Sequence, residues 1–265
     1  MKPNKLELIY FSPTGTTQKV LHSIASGIEH ASLNESNLTL PNEPDYSIEQ
    51  TEGQLALIGV PVYAGRVPLT AVERIKNISV KDMPSVIVVL YGNREFEDAL
   101  VELSDLVTEQ GFIPIAAGAF IGEHSYSTSE KPIAENRPDS TDLLKAREFG
   151  ETIAARLAGL SELKHGLLSI PGNRPYKERR VLSGMPPKPL EDACIECFEC
   201  ASACPTAAIE INAPKNVDDE LCIVCCACVK SCPSGARVID HPQFEKISDW
   251  LFTNFSQRKE PETFL

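Results

Sequence analysis

The sequence predicts an α/β protein in two parts: a doubly wound, five-stranded parallel sheet, then a small cysteine-rich domain. Two observations predict it. Over residues 1–160, short apolar runs alternate with amphipathic stretches, the pattern of repeated βαβ units. All nine cysteines fall between Cys194 and Cys232, and residues 1–193 contain none.

The expected strands are 6–11, 55–62, 86–91 and 113–121, with a weaker one at 37–40. The four stronger runs are rich in Ile, Val, Leu and Ala and mostly do not alternate, as strands buried on both faces do not. Helix-like segments lie at 16–30, 68–77, 95–110 and 140–160. Residues 161–190 carry Gly166, Pro171, Gly172, Pro175, Gly184, Pro186, Pro187 and Pro189, and read as a linker. Inside it, "RPYKERR" (174–180) is a basic patch, suited to a solvated linker or to docking an acidic partner. The cysteine domain covers 191–240. A C-terminal helix and tail follow at 241–265, with Phe244, Ile247, Leu251 and Phe255 on one helical face. Trp250 and Phe252 flank that stripe as packing residues.

Composition excludes some functions. The net charge is −12, which opposes nucleic acid and anionic membrane surfaces as partners. The longest apolar stretches, 55–65 and 113–122, are far short of a membrane span. No secretion signal is evident, so the expected location is the cytoplasm and the cysteines are expected to bind metal rather than form disulfides.

The cysteines form two copies of C-x2-C-x2-C-x3-C-P. The first is Cys194, Cys197, Cys200 and Cys204 before Pro205. The second is Cys222, Cys225, Cys228 and Cys232 before Pro233. In this spacing three cysteines wrap one cluster and the fourth ligates the other. Cluster 1 would take Cys194, Cys197, Cys200 and Cys232; cluster 2 would take Cys222, Cys225, Cys228 and Cys204. Paired zinc sites are the other reading of eight thiolates, but those usually join two C-x2-C units across a long gap, without the prolines. The block resembles the bacterial ferredoxins with two [4Fe–4S] clusters. Cys226 stands outside the pattern, as a spare buried thiol.

At the other end, "SPTGTT" (12–17) joins the first strand to the first helix. It lacks the lysine of a Walker loop and the glycines of a dinucleotide fingerprint. What remains is a hydroxyl-rich turn at a helix N-terminus, where amides and the helix dipole favour an anion. Ser12, Thr14, Thr16 and Thr17 add hydroxyls, and Gly15 allows the tight turn. This resembles the phosphate loop of flavodoxins, which hold FMN without a basic side chain. The resemblance implies the strand order 2-1-3-4-5, with the flavin at the carboxyl ends of the strands. It also implies ring contacts from Tyr63, Ala64 and Gly65 after the third strand, and from Tyr91, Gly92, Asn93 and Arg94 after the fourth. Tyr63 and Tyr91 could instead be half-buried core tyrosines. Arg66 would be near the flavin or solvated. In a third loop, 121–127, Gly122, His124 and Ser125 could approach the ring, and His124 could donate a proton because its ordinary pKa is near neutrality.

The whole chain resembles fusions of a flavodoxin-like domain to a two-cluster ferredoxin domain, found in anaerobic bacteria and archaea. That resemblance implies FMN plus two [4Fe–4S] clusters, and no particular substrate. The leading expectation is an electron-transfer protein coupling one-electron and two-electron carriers, with a redox protein as partner. The alternative is an FMN-dependent reductase of a small electron acceptor such as a quinone, fed through the clusters. A redox-sensing module is a third class. Thiolate ligation and acidic surroundings favour a low cluster potential.

Overall fold

The computed structural model describes residues 3–41, 48–159, 166, 168–180 and 182–265. Its sheet is built from β1 (Lys5–Tyr10), β2 (Ser32–Asn37), β3 (Gln54–Pro61), β4 (Met83–Tyr91), β5 (Phe112–Ile121) and β8 (Glu262–Phe264), in the order β2-β1-β3-β4-β5-β8. The first five pair in parallel, so the expected order 2-1-3-4-5 is present. The helices α1 (Thr16–Ser26), α2 (Leu69–Ile75), α3 (Ala99–Glu109) and α4 (Ser140–Gly159) cover its two faces. Ile58, Ile87 and Phe112 pack on one side with Ala71, Leu100 and Leu103. Leu8, Leu57 and Val88 pack on the other with Val20, Ile24, Ala146 and Ile153. Each such fully buried side chain contributes about 1.5–3 kcal/mol.

Three expectations need correction. The second strand lies at Ser32–Asn37, not 37–40. It is an edge strand of polar residues, stabilised by pairing to β1 rather than by burial. The sheet has a sixth strand: β8 runs antiparallel to β5, with Ala117 opposite Phe264 and Ala119 opposite Glu262. The tail is therefore part of the first domain. The linker is not free either. Residues 160–165 and 167 lie outside the described residues, but 168–180 form a strap along α3. Arg174 pairs with Asp105 at 2.6 Å, Lys177 with Glu97 and Arg179 with Glu102. Asp98 accepts from the amides of Asn173 and Lys177. The basic patch is thus largely consumed by carboxylates of its own chain, which answers both the solvated reading and the acidic-partner reading.

The cysteine domain repeats its backbone. Glu196 and Val224 both have φ 52°, and Phe198 and Cys226 have φ 61° and 60°. Each copy then enters one short helical turn, α5 (Glu199–Ser202) or α6 (Ala227–Lys230). The pair β6 (Lys188–Pro189) and β7 (Arg237–Val238) matches the isolated bridge between Ile209 and Val217, one repeat away. The last helix, α7 (Pro242–Phe255), starts at His241, whose ring accepts from the Gln243 amide. Its predicted stripe holds: Leu251 is buried, and Phe244, Ile247 and Phe255 pack with Tyr126, Val224 and Cys226. Phe244 lies 4.6 Å from Tyr126, ring to ring.

Candidate functional site

The first βα turn is shaped for a ligand rather than for itself. Gly15 sits at φ 77°, a left-handed conformation that suits glycine, just before α1. The Ser12 amide donates to Thr39 Oγ1 at 2.9 Å, and Ser12 Oγ accepts from the Gln18 amide at 3.1 Å. The residue before the helix, Gly15, has no side chain to cap it, and the first turn holds no acid. The amides of Thr14, Thr16 and Thr17 have no acceptor among the described residues. Thr17 Oγ1 is buried with no hydrogen-bond partner among the described residues. Unpaired donors at a helix start are the elements of an anion site.

These groups open into a cavity of about 500 Å³ at the carboxyl ends of the strands. Ser12, Thr14, Thr16 and Thr17 form one end. Tyr63, Ala64, Tyr91, Gly92, Arg94, Gly122, His124 and Ser125 also line it. The three predicted loops therefore meet.

Four residues behave differently from expectation. Gly15 makes the turn but does not line the cavity. Gly65 faces away: a Cβ there would lie 1.8 Å from Glu97 Oε2. Asn93 is buried, with its amide bonded to the C-terminal segment through the carbonyls of Phe255 and Gln257. Arg66 does not line the cavity and is not solvated. It is buried in a bidentate pair with Glu102, at 2.7 and 2.8 Å, and it also donates to the Lys177 carbonyl. Tyr91 keeps its core character, its ring 5.6 Å from Phe96.

His124 also needs correction. Burial, helped by the nearby charges of Arg94 and Lys230, pulls its pKa down to about 4. The ring is therefore neutral near pH 7. Nδ1 accepts from the Tyr126 amide at 3.0 Å, so the proton sits on Nε2. Gly92 is small because this ring packs on it: a Cβ would lie 2.3 Å from His124 Cδ2.

Sequence reasoning missed the other wall. Lys177, Arg179 and Arg180 of the strap line the cavity, as do Leu182, Ile223 and Val224 (the last two between Cys222 and Cys225), and Ile247, Trp250 and Leu251 of α7. Trp250 is thus a cavity residue, half-exposed and stacked edge-on against Phe255. The available signal was a run of basic residues in an acidic chain. Tyr63 ties the two walls together. Burial, and then the proximity of Cys225 and Cys226, pushes its pKa well up.

Cys204, Cys222, Cys225 and Cys228 line one small cavity. Burial raises the thiol pKa of Cys225 to about 12, and Cys204 and Cys222 act on it in the same direction. Cys226 lines this cavity too and is fully enclosed, packed with Tyr126 and Leu251. Around the first set, burial opposes ionisation of Cys232, but the Ser234 hydroxyl and the amides of Arg237, Ala236 and Ser234 outweigh it and lower its pKa. Arg237 Nη2 donates to Cys200 Sγ at 3.2 Å and to the Pro214 carbonyl at 2.6 Å. Arg237 is buried, and no carboxylate pairs with it among the described residues. Among those residues, no group of three or more His, Cys, Asp or Glu converges closely enough for a metal ion. No helix among the described residues is long and apolar enough to cross a membrane.

No protein-family model matches the sequence, and no curated protein matches it. Several solved structures are similar to its N-terminal part. Flavodoxin 1 from Bacillus cereus is 17% identical, covers 60% of this chain and 100% of its own, and has a TM-score of 0.40. A flavodoxin from the domain Archaea is 13% identical, with 58% and 99% covered and a TM-score of 0.36. The rubredoxin oxygen:oxidoreductase from Desulfovibrio gigas is 14% identical, with 59% and 37% covered and a TM-score of 0.37. By its own strand order, the N-terminal part of this chain has a flavodoxin-like fold.

Proposed function

We propose that this chain is a flavo-iron–sulfur electron-transfer protein that holds FMN in the cavity and two [4Fe–4S] clusters on the repeated cysteine motifs. One observation carries the reading: the hydroxyl-rich turn and the second cysteine loop, through Ile223 and Val224, line the same cavity. Bound together, flavin and clusters supply exchange between electron pairs and single electrons.

The chain's own residues fit both groups. Thr17 Oγ1 and the free amides of Thr14, Thr16 and Thr17 are donors for a phosphate. Tyr63, Ala64, Gly92 and His124 line the cavity and would flank a ring, with neutral His124 offering Nε2–H as a donor. Buried Arg237 lacks a counter-charge, which cluster-bound thiolates would supply. A cubane holds its four thiolates apart by its own body, so its ligands do not converge as those of a single ion do. Cys204, Cys222, Cys225 and Cys228 would hold cluster 2, beside the flavin. Cys194, Cys197, Cys200 and Cys232 would hold cluster 1.

The relay is favoured over reduction of a quinone-like acceptor because the second cysteine loop, through Ile223 and Val224, lines the same cavity as the hydroxyl-rich turn. The test is the flavin released by acid from anaerobically purified protein, counted per chain beside iron and acid-labile sulfide. One FMN with about eight irons supports the proposal. Eight irons without flavin would remove the relay, and flavin without iron would remove the cluster reading.

A further inference from the structure

The two cysteine loops share a backbone and differ in surroundings. In the second, Val224, Cys225, Cys226, Ala227 and Cys228 are all buried, towards the cavity and α7. In the first, Ile195, Glu196, Cys197, Phe198 and Glu199 are all exposed. Phe198 and Cys226 occupy the same place in the repeat, with φ of 61° and 60°. One is 40% exposed and the other 2%. The repeat therefore has an inner loop and an outer loop.

The outer loop has the composition of a contact surface. Leu190 is 51% exposed and Ile195 65% exposed, beside Phe198. Single exposed apolar side chains are ordinary, but three within nine residues form a patch. Four acids surround them: Glu191, Asp192, Glu196 and Glu199, with no Lys or Arg between 190 and 199. Lys215 reaches Glu191 at 3.6 Å, and among the described residues these acids form no other ion pair. The strap neutralises its charges against carboxylates of its own chain. Here the negative charge is left open.

Resting on the cofactor reading above, we infer that the face around Cys194 and Cys197 docks a one-electron carrier protein presenting a basic patch with an apolar centre. Charge complementarity selects the partner, and the apolar residues supply the contact. One electron crosses at each encounter between cluster 1 and the carrier, one being oxidised and the other reduced. No bond changes and no proton moves. The cofactor order is then carrier, cluster 1, cluster 2, flavin cavity. This reverses the partner charge that the basic patch at 174–180 suggested.

The experiment uses the full chain, purified anaerobically, reduced with dithionite and freed of excess reagent. The probe is oxidised cytochrome c, a basic one-electron carrier, followed by stopped flow. The wild-type rate constant should fall about tenfold or more between about 10 mM and about 300 mM salt. Neutralising the face (Glu191→Gln, Asp192→Asn, Glu196→Gln, Glu199→Gln) should slow transfer about tenfold at low salt. A control of equal net charge (Glu52→Gln, Glu73→Gln, Glu109→Gln, Glu148→Gln), all exposed acids of the first domain, should stay within about twofold of wild type. Equal slowing in both variants, or no slowing in either, overturns the docking surface. Iron is counted in every sample. Iron-free protein would sink the cofactor reading and this inference with it, whereas intact iron with unaltered rates would sink this inference alone.

Discussion

The side-chain amide of Asn93 donates to the carbonyl oxygen of Phe255 at 2.5 Å, joining the loop after β4 to the end of α7. The same amide donates to the Gln257 carbonyl at 2.7 Å, and its oxygen accepts from the Lys259 amide. One residue thus clasps the C-terminal segment to the cavity's edge. Its φ of 65° suits Asn among the non-glycine residues. Asn93→Ala loses these bonds and strains the backbone, and should cost about 2–4 kcal/mol in urea unfolding. Asn93→Gly, which relieves the strain but not the bonds, should cost less. Equal stability of all three proteins would show that the clasp is idle.

The strap depends on the pair Arg66–Glu102, both nearly buried. Glu102 also accepts from the Val67 amide and from Arg179. Removing Arg66 leaves buried Glu102 with only Arg179 as counter-charge among the described residues, so Arg66→Met should destabilise by about 1–3 kcal/mol. It should also speed proteolysis within 168–180. The double variant Arg66→Met/Glu102→Gln should recover part of the loss. Additive losses would mean the pair does not act as a unit.

Thr17→Val separates folding from binding. The hydroxyl has no partner among the described residues, so its removal should leave the flavin-free protein as stable or raise its melting temperature slightly. FMN binding, followed by flavin fluorescence quenching, should weaken about tenfold, the loss of one good hydrogen bond. Unchanged affinity would place the phosphate away from this turn.

His124 predicts a pH effect on stability. Its folded pKa, about 4, lies below the ordinary value, so the unfolded chain binds more protons between the two. The stability it contributes is present above pH ~6.5 and declines as pH falls towards 4, by up to about 3 kcal/mol. Unfolding midpoints should show a shallower acid slope for His124→Asn than for wild type. Identical slopes would mean that the ring is solvated.

Arg237 lies beside Cys200, and its charge also acts on Cys222 and Cys228. On the proposed cofactor reading, a buried cation there would favour the more reduced, more negative state of a bound cluster. Arg237→Met should shift both cluster potentials in the negative direction in EPR-monitored titrations. Cys226→Ser, a change outside the eight ligands, should retain the full iron content.

The parallel strands were legible because burial on both faces demands unbroken apolar runs. The polar edge strand β2 had no such signature. In β8, three residues gain strand form only by pairing with β5, which no local pattern announces. The hydroxyl-rich turn and the repeated cysteine motif were legible because hydroxyl and thiol spacing is local in the chain. Asn93 and Gly65 were not, because a place in a loop does not say which way the residue faces. The strap was read as a linker because the partners of Arg174, Lys177 and Arg179 lie at least 69 positions away.

Because β8 closes the sheet beside β5, the cysteine domain is topologically an insertion, not an appendage. On the ribosome, the strands β1–β5 emerge first and wait, one edge bare, while the metal-type module is made. The sheet gains its last strand only after α7 has been synthesised. Deleting residues 262–264 should therefore leave β5 as a bare edge, an exposed template for pairing with other chains.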